Sequence, residues 1–364
     1  MTRYEDTQNL PNILVTGVGS LPHTDPDAAV ELIMDALPRA PHCPQLSVAD
    51  PREQMWIQFS EGLPRFRVDL ENLTYHFDTS GDYLQELEQF YAGYLQVSDG
   101  GSARDFAVSH DFGRGIHAFL DRLNARGKRY PFVKVQVTGP LSFGLTVTDQ
   151  GGKPIFYDDT FRDVAVKGMG LKAAWLIQTF SHFADRVIIF LDEPSLSAYG
   201  SSAFLGLSKE AVIESLDEVI AMILAQGGIP GIHCCGNTDW GMLMESTARI
   251  INFDAVDYLE SLTIYAAELR DFLERGGVLA WGAVPNTEQV ERESVGDIVR
   301  RMDQGLNTLE SCGIDREALT EHMIVTPACG CAGLSVPQAQ KAYELLGGLD
   351  RYFGEDRFRK QAKE

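Results

Sequence analysis

The chain has 364 residues, 44% of them hydrophobic, which is enough for two average domains or one large barrel. Its 31 basic and 52 acidic residues leave a formal net charge of −21, so nucleic-acid backbones and anionic membrane surfaces are repelled, and no local basic patch offsets this. The opening residues carry no basic segment followed by an apolar one, and no apolar run approaches the ~20 residues of a membrane span; a soluble, cytoplasmic protein without nucleic-acid or membrane partners is expected.

Short apolar segments alternate along the chain with stretches of helical spacing. The first strand is expected at ILVTGV (13–18), followed by a helix in DPDAAVELIMDAL, and the second at PQLSVA (44–49). Residues 64–130 break the alternation with a hairpin-like RFRVDLENLTYHF and further helices, and read as an insertion over a barrel mouth. The third strand falls at FVKVQVTG (132–139), and the fourth at RVIIFLD (186–192) after the long helical stretch that begins FRDVAVKG. Then come IPGIHC (229–234), FDAVDYLE (253–260), GVLAWGAV (277–284) and MIVTPA (323–328), with helices in KEAVIESLDEVIAMILAQ and SVGDIVRRMDQGLNTLESC between them. Eight alternating units over residues 1–364 predict a single α/β domain, a (β/α)8 TIM barrel whose functional groups stand at the C-terminal ends of its strands. A doubly wound open sheet is the structural alternative.

The unusual clusters fall at those ends. GVGSLP closes the first strand, VTGP the third, LDEPSL the fourth, HCC the fifth, YLES the sixth, WGAVPN the seventh and PACGC the eighth. Turn chemistry accounts for their Gly and Pro, but not for His, Cys, Asp and Glu together. In an extended strand His233 and Cys235 point to one side and Cys234 to the other. Six cysteines in so long a chain are no disulfide framework, and clustered ones suit metal or thiol chemistry. Zinc takes four ligands, which His233, Cys235, Glu260 and either Cys329 or Cys331 can supply; the spacing of CGC does not choose between its two cysteines. Asp192 and Glu193 point in opposite directions if extended, one to the mouth and one to the wall. GVGS lacks the third glycine of a dinucleotide loop, where Pro22 stands, and the arginine pair of SVGDIVRRM reads as a solvated helix face.

From GVGSLP through VTGP, LDEPSL, HCC and YLES to TPACG, these motifs resemble the catalytic domain of cobalamin-independent methionine synthase, within the group that also holds uroporphyrinogen decarboxylase and corrinoid:thiol methyltransferases. The resemblance implies a barrel with a thiol-activating zinc held by His233, Cys235, Glu260 and Cys329, the last favoured because PACG matches the family's Pro-x-Cys-Gly. It implies that Gly19 and Ser20 hold an amino acid's carboxylate, that Asp192 meets its ammonium group, and that Asp50, beside Ala49, stands near an acidic substrate contact. The family's second, N-terminal barrel does not fit in this length. On the methyl-donor side, the folate-stacking tryptophan falls near Thr146, a folate-contacting glutamate at Ala198 and a catalytic histidine at Ala283.

The expectation is therefore a zinc-dependent S-methyltransferase acting on a homocysteine-like thiol. His233, Cys235, Cys329 and Asp192 form its centre, and a methyl-corrinoid, free or carried on a partner protein, is the donor rather than methyl-folate. Two other readings stand beside it. One is a metal-free decarboxylase of the uroporphyrinogen type, whose arginine-rich N-terminal motif is replaced here by GVGSLPHTDP; the other is a non-catalytic zinc barrel.

Overall fold

Strands rich in Val, Ile and Leu, buried on both faces, form the centre of the protein, as expected of a parallel sheet covered by helices. The computed structural model describes residues 4–8, 10–201, 204 and 206–354. Its strands are β1 (Ile13–Val15), β2 (Phe66–Asp69), β3 (Thr74–Phe77), β4 (Tyr130–Thr138), β5 (Thr148–Asp149), β6 (Ala184–Asp192), β7 (Ile229–Cys234), β8 (Ile250–Asp254), β9 (Val278–Val284) and β10 (Met323–Pro327). Seven of them make one curled sheet in the order β1-β10-β9-β8-β7-β6-β4, every adjacent pair parallel. Helices such as Pro26–Ala36, Asp159–Phe180, Lys209–Ala225, Val295–Ser311 and Val336–Gly354 connect and cover the strands. Among the described residues no helix is long and apolar enough to cross a membrane.

The expected second strand at 44–49 is not a strand. Residues 46–49 form a turn, and the chain before them meets β4 and the segment after β1 through isolated bridges, His42 to Lys134 and Gln45 to Ser20. Cys43 N donates to Lys134 O (2.9 Å), and Gln45 N donates to Gly19 O (3.1 Å). Pro41 and Pro44 lack an N–H, so no continuous ladder can run through this stretch. The sixth strand also differs from expectation. It ends at Asp254, whose Oδ1 accepts from the N–H groups of Val256 (2.8 Å) and Asp257 (3.1 Å) and turns the chain, so AVDYLE is turn and helix. The strand at 229–234 has the bounds expected from the sequence.

Residues 64–130 do contain the hairpin, β2 antiparallel to β3, and β3 also pairs with β5. Phe66 and Phe77 pack on Phe143 of the helix Pro140–Thr146, which directly follows the C-terminal end of β4. The last helix of this stretch, Arg114–Arg126, buries Ile116, Phe119 and Leu123, and its Arg126 pairs with Glu31 of the first helix at 2.9 Å.

Two cores result. A large one lies between sheet and helices. A smaller one, with Leu14, Phe132, Ile188, Phe190, Ile229, Ile250, Ala280 and Ile324, lies on the opposite, concave face. Successive residues on that face are two apart, so the same pleat that buries Ile188, Ile229 and Ile250 continues to Asp192, His233 and Asn252 toward the strand ends.

Candidate metal centre

His233 Nε2 and the sulfurs of Cys235 and Cys329 all lie within 4.8 Å of one another, the one such group of His, Cys, Asp and Glu among the described residues. β7 supplies the histidine and the residue just past its end supplies Cys235, while Cys329 arrives two residues past β10. Cys329 Sγ stands 3.5 Å from His233 Nε2. The histidine's other nitrogen is fixed: Nδ1 lies 2.5 Å from Asn252 Oδ1. Asn252 is fully buried and its Nδ2 donates to Ala280 O and Thr326 Oγ1, both at 2.9 Å. Because a carbonyl can only accept, the amide oxygen must face the imidazole, which puts the proton on Nδ1 and leaves Nε2 with a lone pair toward the sulfurs. This is the arrangement that makes histidine a metal ligand.

The two thiols are shifted in opposite directions. Cys235 is held well below the usual thiol range, first by its hydrogen bond with Cys329 and then by His233, while Cys329 is pushed up by that same bond and by burial. Two soft sulfurs and one imidazole nitrogen form a donor set that suits zinc. Cys331 stands apart; its thiol is buried and raised to about 12 by that burial. Glu260 is not brought into the group. It lies exposed in the first turn of the short helix Leu259–Thr263, beyond the turn that Asp254 makes.

Asp192 sits beside His233 in the register of β6 and β7, and its buried Oδ1 has no hydrogen-bond partner among the described residues. Burial pushes its carboxyl up, while Lys134 and His233 pull it down. Its neighbour Glu193 faces away, accepting from Leu141 N (3.0 Å) and Ser142 N (2.7 Å) at the start of the helix Pro140–Thr146. The two carboxylates therefore divide as their alternation requires. Gly19 and Ser20 meet the cysteine loop: Cys331 N donates to Ser20 O at 2.8 Å, and among the described residues neither the Gly19 nor the Ser20 N–H has an acceptor. Gly17, just before them, must be glycine, since a Cβ would lie 2.3 Å from the buried His42 ring. Asp50 is engaged elsewhere. Both its oxygens accept from the Arg52 guanidinium (3.1 and 2.8 Å), which lowers its carboxyl pKa.

The expected role of the arginine pair is half met. Arg300 stays with Asp297 on its own helix, but Arg301 bonds Glu293 (2.8 Å) and the carbonyl of Ala283 (3.0 Å) at the end of β9. Sequence reasoning passed over Asn252 and Lys134. Their signal was a polar residue inside an otherwise apolar strand, RIINFD and FVKVQV, at the alternate positions that carry the site.

No protein-family profile matches the sequence, and no curated protein matches it. Solved structures do. A methyltransferase from Methanosarcina mazei shares 13% identity at a TM-score of 0.54, with 96% of this chain and 97% of that one covered. A Listeria monocytogenes protein provisionally described as a vitamin-B12-independent methionine synthase shares 13% identity at a TM-score of 0.50, covering 91% and 86%. The B12-independent methionine synthase of Shewanella sp. W3-18-1, solved with selenomethionine, shares 16% identity at a TM-score of 0.44 over 66% and 68%. At these identities the likeness to the first two speaks for the fold.

Proposed function

We propose that this protein is a zinc-dependent S-methyltransferase that transfers a methyl group to the thiol of a homocysteine-like amino acid, with a methylated corrinoid as donor. One observation carries the reading: a His/Cys/Cys trio spaced to hold a metal ion and a carboxylate oxygen with no partner among the described residues share one end of the sheet, His233, Cys235 and Cys329 beside Asp192. The solved structures of similar fold described as a methyltransferase and a methionine synthase agree with it. On this reading Arg39–Gln45, bridged to β4 and to the segment after β1, is the eighth stave of a (β/α)8 barrel, and the hairpin within 64–130 is the cover of its mouth.

Zinc held by His233, Cys235 and Cys329 would act as a Lewis acid and keep a coordinating substrate thiol deprotonated near neutral pH. The substrate thiol would take the fourth position; Glu260, which the family resemblance implies as a displaceable ligand, lies outside the trio. The protein's own groups do the rest. Asn252 holds the His233 ring with Nε2 toward the sulfurs; Asp192 accepts the substrate's ammonium group; the free N–H groups of Gly19 and Ser20 receive its carboxylate. In the transfer the sulfur–carbon bond forms as the carbon–cobalt bond breaks, and its electron pair stays on the corrinoid. The preference for a corrinoid rests on the family resemblance, by which Thr146, Ala198 and Ala283 stand at the positions of folate-side residues, and none of them is aromatic or charged.

The test is metal analysis of the purified protein with a methyl-transfer assay to L-homocysteine, comparing methylcobalamin with methyl-tetrahydrofolate. About one zinc per chain and turnover with methylcobalamin are expected. Zinc-loaded protein that uses neither donor refutes the reading.

A further inference from the structure

Lys134 is the most unusual residue of the concave face. It stands in β4, is fully buried, and has no carboxylate in hydrogen-bond contact among the described residues. Its ammonium donates to the main-chain carbonyl of Val18 and to Gln136 Oε1 (3.2 Å), and sits 4.5 Å from the centre of the Phe190 ring. Val18 is the residue before Gly19, so the contact fixes the turn that carries the two free N–H groups. Gln136 completes the support. Its Nε2 donates to Cys43 O (3.1 Å), and its amide fills the space where a Cβ on Gly19 would lie 2.9 Å away. Lys134 and Asp192 also feel one another electrostatically, and Lys134 is the strongest favourable charge on that carboxylate.

A charged lysine is costly to bury, and a helix-covered sheet gains nothing from one that a methionine could not supply by packing. We propose that Lys134 is a positioning residue for amino-acid binding: from beneath, it sets the Gly19–Ser20 turn for the ligand's carboxylate and balances the Asp192 carboxylate that takes the ligand's ammonium group. The proposal rests on the reading of the site given above. It adds that the recognition of a zwitterion is built on a buried cation that never touches the ligand.

The test uses the full chain and calorimetric binding of L-homocysteine and L-methionine, beside binding of 2-mercaptoethanol, which has neither charged group. In Lys134→Met, zinc content and the far-UV spectrum should match the wild type and 2-mercaptoethanol should bind as before, while both amino acids bind about tenfold or more weakly. Lys134→Gln should show the same split. Amino-acid binding unchanged in either variant overturns the proposal. So does an equal loss for 2-mercaptoethanol, or failure of both variants to fold with zinc, since the lysine would then be a structural element of the core. Wild-type protein that binds the simple thiol but neither amino acid would instead refute the amino-acid reading itself, and this assignment with it.

Discussion

Replacing Asn252 with Ala probes the centre without touching a ligand atom. The change removes one acceptor from His233 Nδ1, 2.5 Å away, and two donations, to Ala280 O and Thr326 Oγ1 at 2.9 Å, all in a fully buried place. An imidazole freed of this partner loses both its fixed tautomer and its orientation, and loss of such a partner typically costs 10–100-fold in metal affinity, about 1.4–2.7 kcal/mol. Each polar group left buried without a partner costs about 1–3 kcal/mol, so unfolding in urea should shift by several kcal/mol as well. Asn252→Asp separates the two effects: it keeps an acceptor for His233 but removes the donor to Ala280, so zinc affinity should hold better than stability does. The assay is zinc competition against a chromophoric chelator, run beside urea titration of the metal-free protein. A zinc affinity for Asn252→Ala within about threefold of the wild type would show that Asn252 does not orient a metal ligand, and the reading of the trio would fall with it.

Other outcomes follow from the same geometry. Cys235→Ser and Cys329→Ser should each lose most of their zinc, because a hydroxyl is a poor replacement for a thiolate, whereas Cys331→Ser should keep it; metal analysis of the three variants decides. Asp192→Asn should weaken binding of homocysteine and leave zinc content intact, and equal weakening of a thiol without an amino group would count against the ammonium contact. Glu193, pushed up from 4.5 to about 7 by burial, holds a proton in the folded state that it has lost in the unfolded chain between those pH values. Stability should therefore fall as pH rises from about 5 to 7, by up to about 3 kcal/mol, and Glu193→Gln should flatten that slope in denaturant titrations across the range.

Much of the strand plan was legible locally, because burial on both faces writes an uninterrupted apolar run. IPGIHC is such a run, set off by the glycine pair before it, and its bounds survive folding unchanged. Alternation was legible too: His233 and Cys235 share a side, and Asp192 and Glu193 oppose one another, since the pleat is a property of the strand alone. Apolar pattern misled where a side chain captured the backbone. FDAVDYLE looks like a strand, yet Asp254 binds the N–H groups two and three residues on, so Glu260 lies on a helix rather than at a strand end. At PQLSVA the pattern misled as well: residues 46–49 turn, and the bridged residues lie just before them, where two prolines allow no continuous ladder.

What the sequence could not decide is which residues meet across distance. Cys329 and Cys331 are equivalent in CGC; the path of the loop past Ser20 sends one thiol to His233, 96 positions away, and buries the other in the core. Lys134 and Asn252 were visible as polar residues in apolar strands, but a strand's own pattern says nothing of its neighbours. Period two assigns a face from local stereochemistry alone. The partner on that face depends on the strand order β1-β10-β9-β8-β7-β6-β4, which is set by the packing of helices distant in sequence, and so the carbonyl of Val18 above Lys134 and the imidazole beside Asn252 exist only in the folded chain.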